Sequence, residues 1–152
     1  MSGFLLDVNL LIALFWPAHV HHKAAQAWFA AKSRRGWATT PLTQAAFIRI
    51  VSNPAFSKDA VAPSDAVNLL AHNLKHRHHR FWADDLDYGA AVAPLRPRLV
   101  GHRQVTDAYL LGLALHRGGR LATFDGGVSS LVGADGAAAQ LVELIAHEVD
   151  ND

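Results

Sequence analysis

The sequence predicts an α/β fold: a three-layer α/β/α sandwich around a central, mainly parallel sheet. Three observations carry that expectation. Short apolar runs suited to buried strands alternate with stretches of helical periodicity, two of the runs end in aspartate, and 152 residues suit one domain, taken as residues 1–150. A compact domain near this size buries roughly 70% of the surface its unfolded chain exposes. With 51% hydrophobic and 18% charged residues, the composition is that of a globular protein with a real core.

Residues 3–7 (GFLLD) suit a short buried strand ending at Asp7, and VNLLIALF then begins a helix capped by Asp7 or Asn9. Pro17 interrupts it. HHKAAQAWFAAKSRR places Ala24, Ala27, Trp28 and Ala31 at helical spacing with basic residues in the last turn, either a second helix or the continuation of a kinked one. WATTP (37–41) suits a strand, and LTQAAFIRIVSNP a helix ended by Asn53-Pro54. Pro63, Ser64 and Asp65 open another helix that runs into a basic segment. Phe81-Trp82-Ala83 suits a strand, and the two prolines and glycine of DDLDYGAAVAPLRPR predict a loop. TDAYLLGLALHRGG is a helix started by Thr106 and stopped by Gly118-Gly119. RLATFD (120–125) and QLVELI (140–145) complete the strands, and there is no internal repeat or linker.

Composition excludes several chemistries. Without cysteine there are no disulfides, thiolate zinc sites or cysteine nucleophiles, so any metal is held by oxygen or imidazole. No apolar run reaches the roughly 20 residues that span a bilayer, and no basic segment precedes the first apolar stretch, which predicts a cytoplasmic protein with no membrane partner. The glutamates are Glu143 and Glu148, so an earlier catalytic carboxylate has to be an aspartate.

Asp7 and Asp125 end strands, and Asp107 lies in the first turn of a helix. Singly, each suits a cap or turn. In an open parallel sheet, however, ligands bind beyond the carboxyl ends of the strands, where the three converge. Unit charges about 4 Å apart repel by about 4 kcal/mol at an effective dielectric near 20. None of the three local motifs holds a lysine to offset that repulsion, so the cluster calls for protons or a hard divalent cation such as Mg²⁺ or Mn²⁺. Asn9 has two readings: its amide oxygen coordinates the metal or orients a metal-bound water, or its side chain caps the helix.

LLDVNLLIALFWPAHVHHKAAQAWF, PLTQAAFIRIVSNP, TDAYLLGLALHRGGRLATFD and QLVELI, in that order, resemble the PIN-domain ribonucleases, in particular the VapC toxins of toxin–antitoxin systems. The resemblance covers nearly the whole chain. It implies a PIN-like α/β sandwich whose acidic site binds Mg²⁺ or Mn²⁺ to hydrolyse RNA phosphodiesters, with Asp7, Asp107 and Asp125 as catalytic and metal-binding residues. It further implies an RNA substrate, a VapB-like antitoxin whose C-terminal segment covers the acidic groove, and a homodimer formed through apolar residues of the first helices.

One departure matters. Where many PIN domains carry a glutamate after the second strand, LTQAAF offers Gln44, which cannot serve as a carboxylate ligand and is a candidate to bind a metal-bound water. Thr106 and Thr123 either bond to a carboxylate or phosphate or serve as a cap and a strand residue, and Arg49 either reaches a substrate phosphate or is solvated. His19, His21 and His22 suit a structural or capping role better than a zinc or nickel site. His76, His78 and His79, among Lys75, Arg77 and Arg80, suit either RNA backbone contact or a solvated helix end. Two competitors remain: a PIN-like binding module that has lost catalysis, favoured by Gln44, and a phosphotransfer domain with Asp7 as acceptor, disfavoured by the missing lysine partner.

Overall fold

A computed structural model describes residues 3–133 and 140–146; the end of the 1–150 assignment, with Glu148, lies outside the described residues. Five strands, β1 (Phe4–Leu6), β2 (Trp37–Thr39), β3 (His79–Phe81), β4 (Arg120–Thr123) and β5 (Val142–Leu144), form one sheet in the order β3-β2-β1-β4-β5. Every pairing is parallel. The expected parallel sheet is therefore present, and β1 is its centre.

Side-chain alternation on β1 explains the layers. Phe4 and Leu6 face one side and pack with α1 (Val8–Phe15), α2 (His22–Lys32), α3 (Pro41–Val51) and α4 (Pro63–Asn73); Leu5 faces the other and packs with α5 (Tyr88–Val92) and α6 (Val105–His116). Both faces of the strand are covered, which is why it reads as an unbroken apolar run. Among the described residues, no helix is long and apolar enough to cross a membrane.

Element edges differ from the sequence expectation in three places. The third strand is His79–Phe81 rather than 81–83, because Trp37–Thr39 pairs with those residues and the Trp82 amide then closes onto the Thr39 carbonyl. The predicted loop contains α5, capped by Asp87, whose Oδ1 accepts from the Ala90 amide; the prolines act only afterwards, in the 3₁₀ turn Ala93–Arg98. The late helix starts at Val105, after a 3₁₀ turn over His102–Gln104, so Thr106 is not its cap. The interruption at Pro17 is present as expected, and of the two readings of the following stretch the separate helix, α2, is the one observed.

Candidate active site

Strand order reverses at β1. From it the chain runs outward to β2 and β3 on one side and later returns to β4 and β5 on the other, so a crevice opens between the carboxyl ends of β1 and β4. Asp7 follows β1 there, and Asp125 follows β4 by two residues. Asp107, in the first turn of α6, lines one cleft of about 330 Å³ together with Asp7, Thr43, Ala46, Arg49 and Thr106.

Asp7 is only 4% exposed. Its Oδ1 accepts from the Val8 amide at 2.7 Å, which makes it the cap of α1, and its Oδ2 accepts from the Thr123 hydroxyl at 2.9 Å. Burial raises its pKa against the lowering effect of those two bonds, and the Asp125 charge raises it further. Asp107 is pushed up to about 6, by desolvation first and then by the charges of Asp7 and Asp125. Asp125 is exposed and turns Oδ1 to the Gly127 amide, capping a 3₁₀ turn. The three carboxylates thus sense one another.

Among the described residues none of them forms an ion pair, and Lys32, Arg117 and Arg120 take the salt bridges, all with Asp85 or Glu143. Among the described residues, no three histidine or acidic side chains stand close enough to hold a metal by themselves. The donor set nevertheless fits a magnesium-like ion, which binds through one or two carboxylates and keeps its waters. Asp7 and Asp107 are the two carboxylates that line this cleft.

Asn9 neither caps α1 nor stands alone. Its Nδ2 donates to the Thr123 hydroxyl at 3.1 Å and its Oδ1 accepts from the Phe124 amide at 3.3 Å. Thr123, fully buried, also accepts from the Asp125 amide at 3.0 Å. Its hydroxyl is therefore the joint between the ends of β1 and β4.

Gln44 faces elsewhere. Its Nε2 donates to the Thr39 hydroxyl at 3.0 Å, and the His79 ring meets the same oxygen. The α3 face toward the acidic cleft carries Leu42, Ala45, Ala46 and Arg49 instead, at i, i+3, i+4, i+7 spacing, so the candidate Arg49 does line the cleft. That wall supplies no carboxylate and one exposed guanidinium.

The histidines have local work. His19 Nδ1 accepts from the His21 amide, His22 Nδ1 meets the Ala13 carbonyl, and His21 stacks on Phe124 with centroids 5.2 Å apart. His76 Nδ1 accepts from the Trp37 indole and the His78 amide. Since β3 begins at His79 in a parallel sheet, Lys75, His76, Arg77 and His78 lie toward the end opposite the acidic cleft, and His79 and Arg80 belong to the strand itself.

Comparison with known proteins adds a family. The PIN domain model matches residues 4–133. Ribonuclease VapC39 of Mycobacterium tuberculosis is 47% identical over 141 residues, covering 93% of this chain and 98% of that protein. Ribonuclease VapC38 of the same organism is 48% identical over 127 residues, covering 84% and 88%. Among solved structures, VapBC2 of Rickettsia felis bound to a promoter DNA fragment superposes with a TM-score of 0.65 at 13% identity, covering 94% of this chain and 98% of the matched one. VapC20 of Mycobacterium tuberculosis, a sarcin–ricin loop cleaving toxin, gives 0.64 at 17%, covering 95% and 100%. At those identities the two structures speak to the fold.

Proposed function

Because this chain belongs to the PIN-domain family, we propose that it is a metal-dependent endoribonuclease acting as the toxin of a toxin–antitoxin pair. One observation supports the chemistry above the others: Asp7 and Asp107 line one cleft beyond the sheet's carboxyl ends with no cationic side chain paired to either among the described residues. Two such carboxylates repel each other once both are ionised, and a divalent cation between them offsets that repulsion.

Asp7 and Asp107 would hold Mg²⁺ or Mn²⁺, with Asp125 adding charge from the rim. When bound, such an ion supplies Lewis acidity and lowers the pKa of water, the means of hydrolysing a phosphodiester at neutral pH. The chain's own residues do the rest. The Val8 amide and Thr123 hydroxyl hold the Asp7 carboxylate in one orientation, and Asn9 holds Thr123. Arg49, exposed on the facing wall, receives a phosphate oxygen of the RNA, and Thr106 at the cleft's edge offers a hydroxyl to the same group.

The resemblance extends the reading, and a VapBC complex stands among the solved structures that share the fold. A VapB-like antitoxin is the expected protein partner, the cytoplasm the place of action, and a homodimer the working form. Val20, 84% exposed between α1 and α2, is an apolar residue available to that dimer.

Asp7→Asn keeps the cap on α1 and removes the charge. It is expected to abolish RNA cleavage with an unchanged fold, measured by gel assay and circular dichroism; undiminished cleavage sinks the assignment. The Ala45-Ala46 wall, which brings no further carboxylate, favours a second reading, a PIN-like binding module without catalysis. Calorimetric titration separates the two: no uptake of Mn²⁺ at millimolar concentration selects the binding module.

A further inference from the structure

Beside the acidic cleft, and sharing Leu42 and Thr106 with it, lies a second pocket of about 310 Å³. Its walls are apolar: Leu42, Val105 and the rings of Tyr88 and Tyr109, which stack with centroids 5.9 Å apart and planes 19° from parallel. Both phenol groups are engaged with backbone, Tyr88 donating to the Val105 carbonyl and Tyr109 to the Leu86 carbonyl. The pocket therefore offers ring and aliphatic surface. Leu42, Tyr88 and Val105 are 38%, 39% and 45% exposed, an apolar cluster left to solvent beside the reacting centre.

One polar group stands at the rim. Asp84 Oδ2 accepts the Leu42 amide at 3.1 Å, which pins the carboxylate to the start of α3 and leaves its second oxygen to offer to an N–H donor.

We propose that this pocket is a nucleobase subsite: it receives the base of a nucleotide adjoining the scissile phosphate, and Asp84 selects a base that presents an exocyclic amine. The inference rests on the ribonuclease reading of the cleft. Every base has a π-face that stacks on an aromatic wall, whatever its identity. A carboxylate accepts from an amine such as cytosine N4 and repels the carbonyl oxygen that uracil places there. It repels phosphate too, so the base rather than the backbone enters. Because the two cavities share two wall residues, a phosphate in the first and its own base in the second need only a ribose between them. An apolar side chain of a protein partner would cover the second oxygen of Asp84 without giving it a donor, which is costly.

The test incubates total RNA with the purified protein and Mn²⁺, sequences the new 5′ ends, and repeats this with Asp7→Asn, Leu42→Ala, Tyr88→Ala and Asp84→Asn. An oligonucleotide carrying the strongest site is then assayed intact and with an abasic residue at the preferred position. An amine-bearing base is expected at one position flanking the cut, and Asp84→Asn turns that preference toward uracil, since an amide donates where the carboxylate accepted. Leu42→Ala, Tyr88→Ala and the abasic residue are each expected to lower kcat/KM roughly tenfold. A pocket variant combined with the abasic residue loses no more than either alone, a coupling that a general loss of packing does not produce. Leu42→Ala, which trims a side chain already partly in solvent, keeps the test valid if Tyr88→Ala unfolds. No cutting by the wild type, or full cutting by Asp7→Asn, overturns the ribonuclease reading itself. Loss of cutting in Asp7→Asn with wild-type base profile and rate in the pocket variants overturns only the subsite, and leaves the pocket to a protein partner.

Discussion

Thr123 holds more of the site than its position in a strand suggests. One hydroxyl donates to Asp7, accepts from Asn9 and accepts from the Asp125 amide, tying together two segments more than a hundred residues apart. Valine has the same shape without the oxygen, so Thr123→Val leaves a buried carboxylate and an amide short of partners, at about 1–3 kcal/mol. For a chain of this length that is a fall of roughly 2–12 °C in melting temperature. Because the Thr123 bond is the largest effect lowering the Asp7 pKa, its loss moves that pKa further upward. The pH at which Mn²⁺ binding is half complete is expected to rise with it, and Thr123→Ser to restore both; a variant with lowered stability but an unmoved metal-binding profile contradicts the orienting role.

Helix α6 carries Asp107 into the cleft, and Gly112 decides how close that helix lies to its neighbour. A Cβ at Gly112 would fall onto the carbonyl of Ala91 in α5. Glycine inside a helix costs roughly 1 kcal/mol relative to alanine, and here the cost secures close packing of two helices. Gly112→Ala is expected to lose about 1–3 kcal/mol by overpacking instead of gaining from propensity, read as a lower melting temperature and as weaker Mn²⁺ binding when α6 shifts. The partner helix was hidden in a stretch whose prolines predict a loop. Five residues of helix give too little periodicity to compete with two prolines. The α3 face shows the opposite case: Arg49 and the two alanines were legible by spacing, whereas the turn of Gln44 toward Thr39 depends on a strand partner that no local pattern reveals.

At the scale of the molecule, the parallel sheet gathers negative charge at one end of the β1–β4 crevice, and stability should report it. Asp107 has a folded pKa near 6 against an ordinary value of 3.8. Between those values the unfolded chain ionises while the folded chain keeps its proton, so on this group's account metal-free stability falls as pH rises from about 4 to about 6 and stays lowered above that. Asp7, also raised, acts in the same direction. A divalent cation reverses the loss only where the carboxylates are ionised. At a hundred times Kd, the cation stabilises the fold by about 2.7 kcal/mol, or roughly 5–10 °C. Calorimetric melts are therefore expected to show a large Mn²⁺-induced rise at pH 7.5, a small one at pH 5, and neither in Asp7→Asn. An equal rise at both pH values would falsify the two-carboxylate site.

Sequence alone determined the α/β class, five strand positions to within two residues, and Asp7, Asp107 and Asp125 as the acidic residues with chemistry to explain. Those properties follow from local periodicity and from residue type at strand ends, which are written into consecutive positions. Tertiary structure decided that Asn9 grips Thr123 rather than capping a helix, that Gln44 turns from the cleft, that the stretch before β3 lies toward the opposite end of the sheet, and that Tyr88 and Asp84 stand beside the acidic cleft. Each of those outcomes depends on which strands are neighbours and in what register, and strand order is a long-range property set by how two helical layers cover both faces of β1.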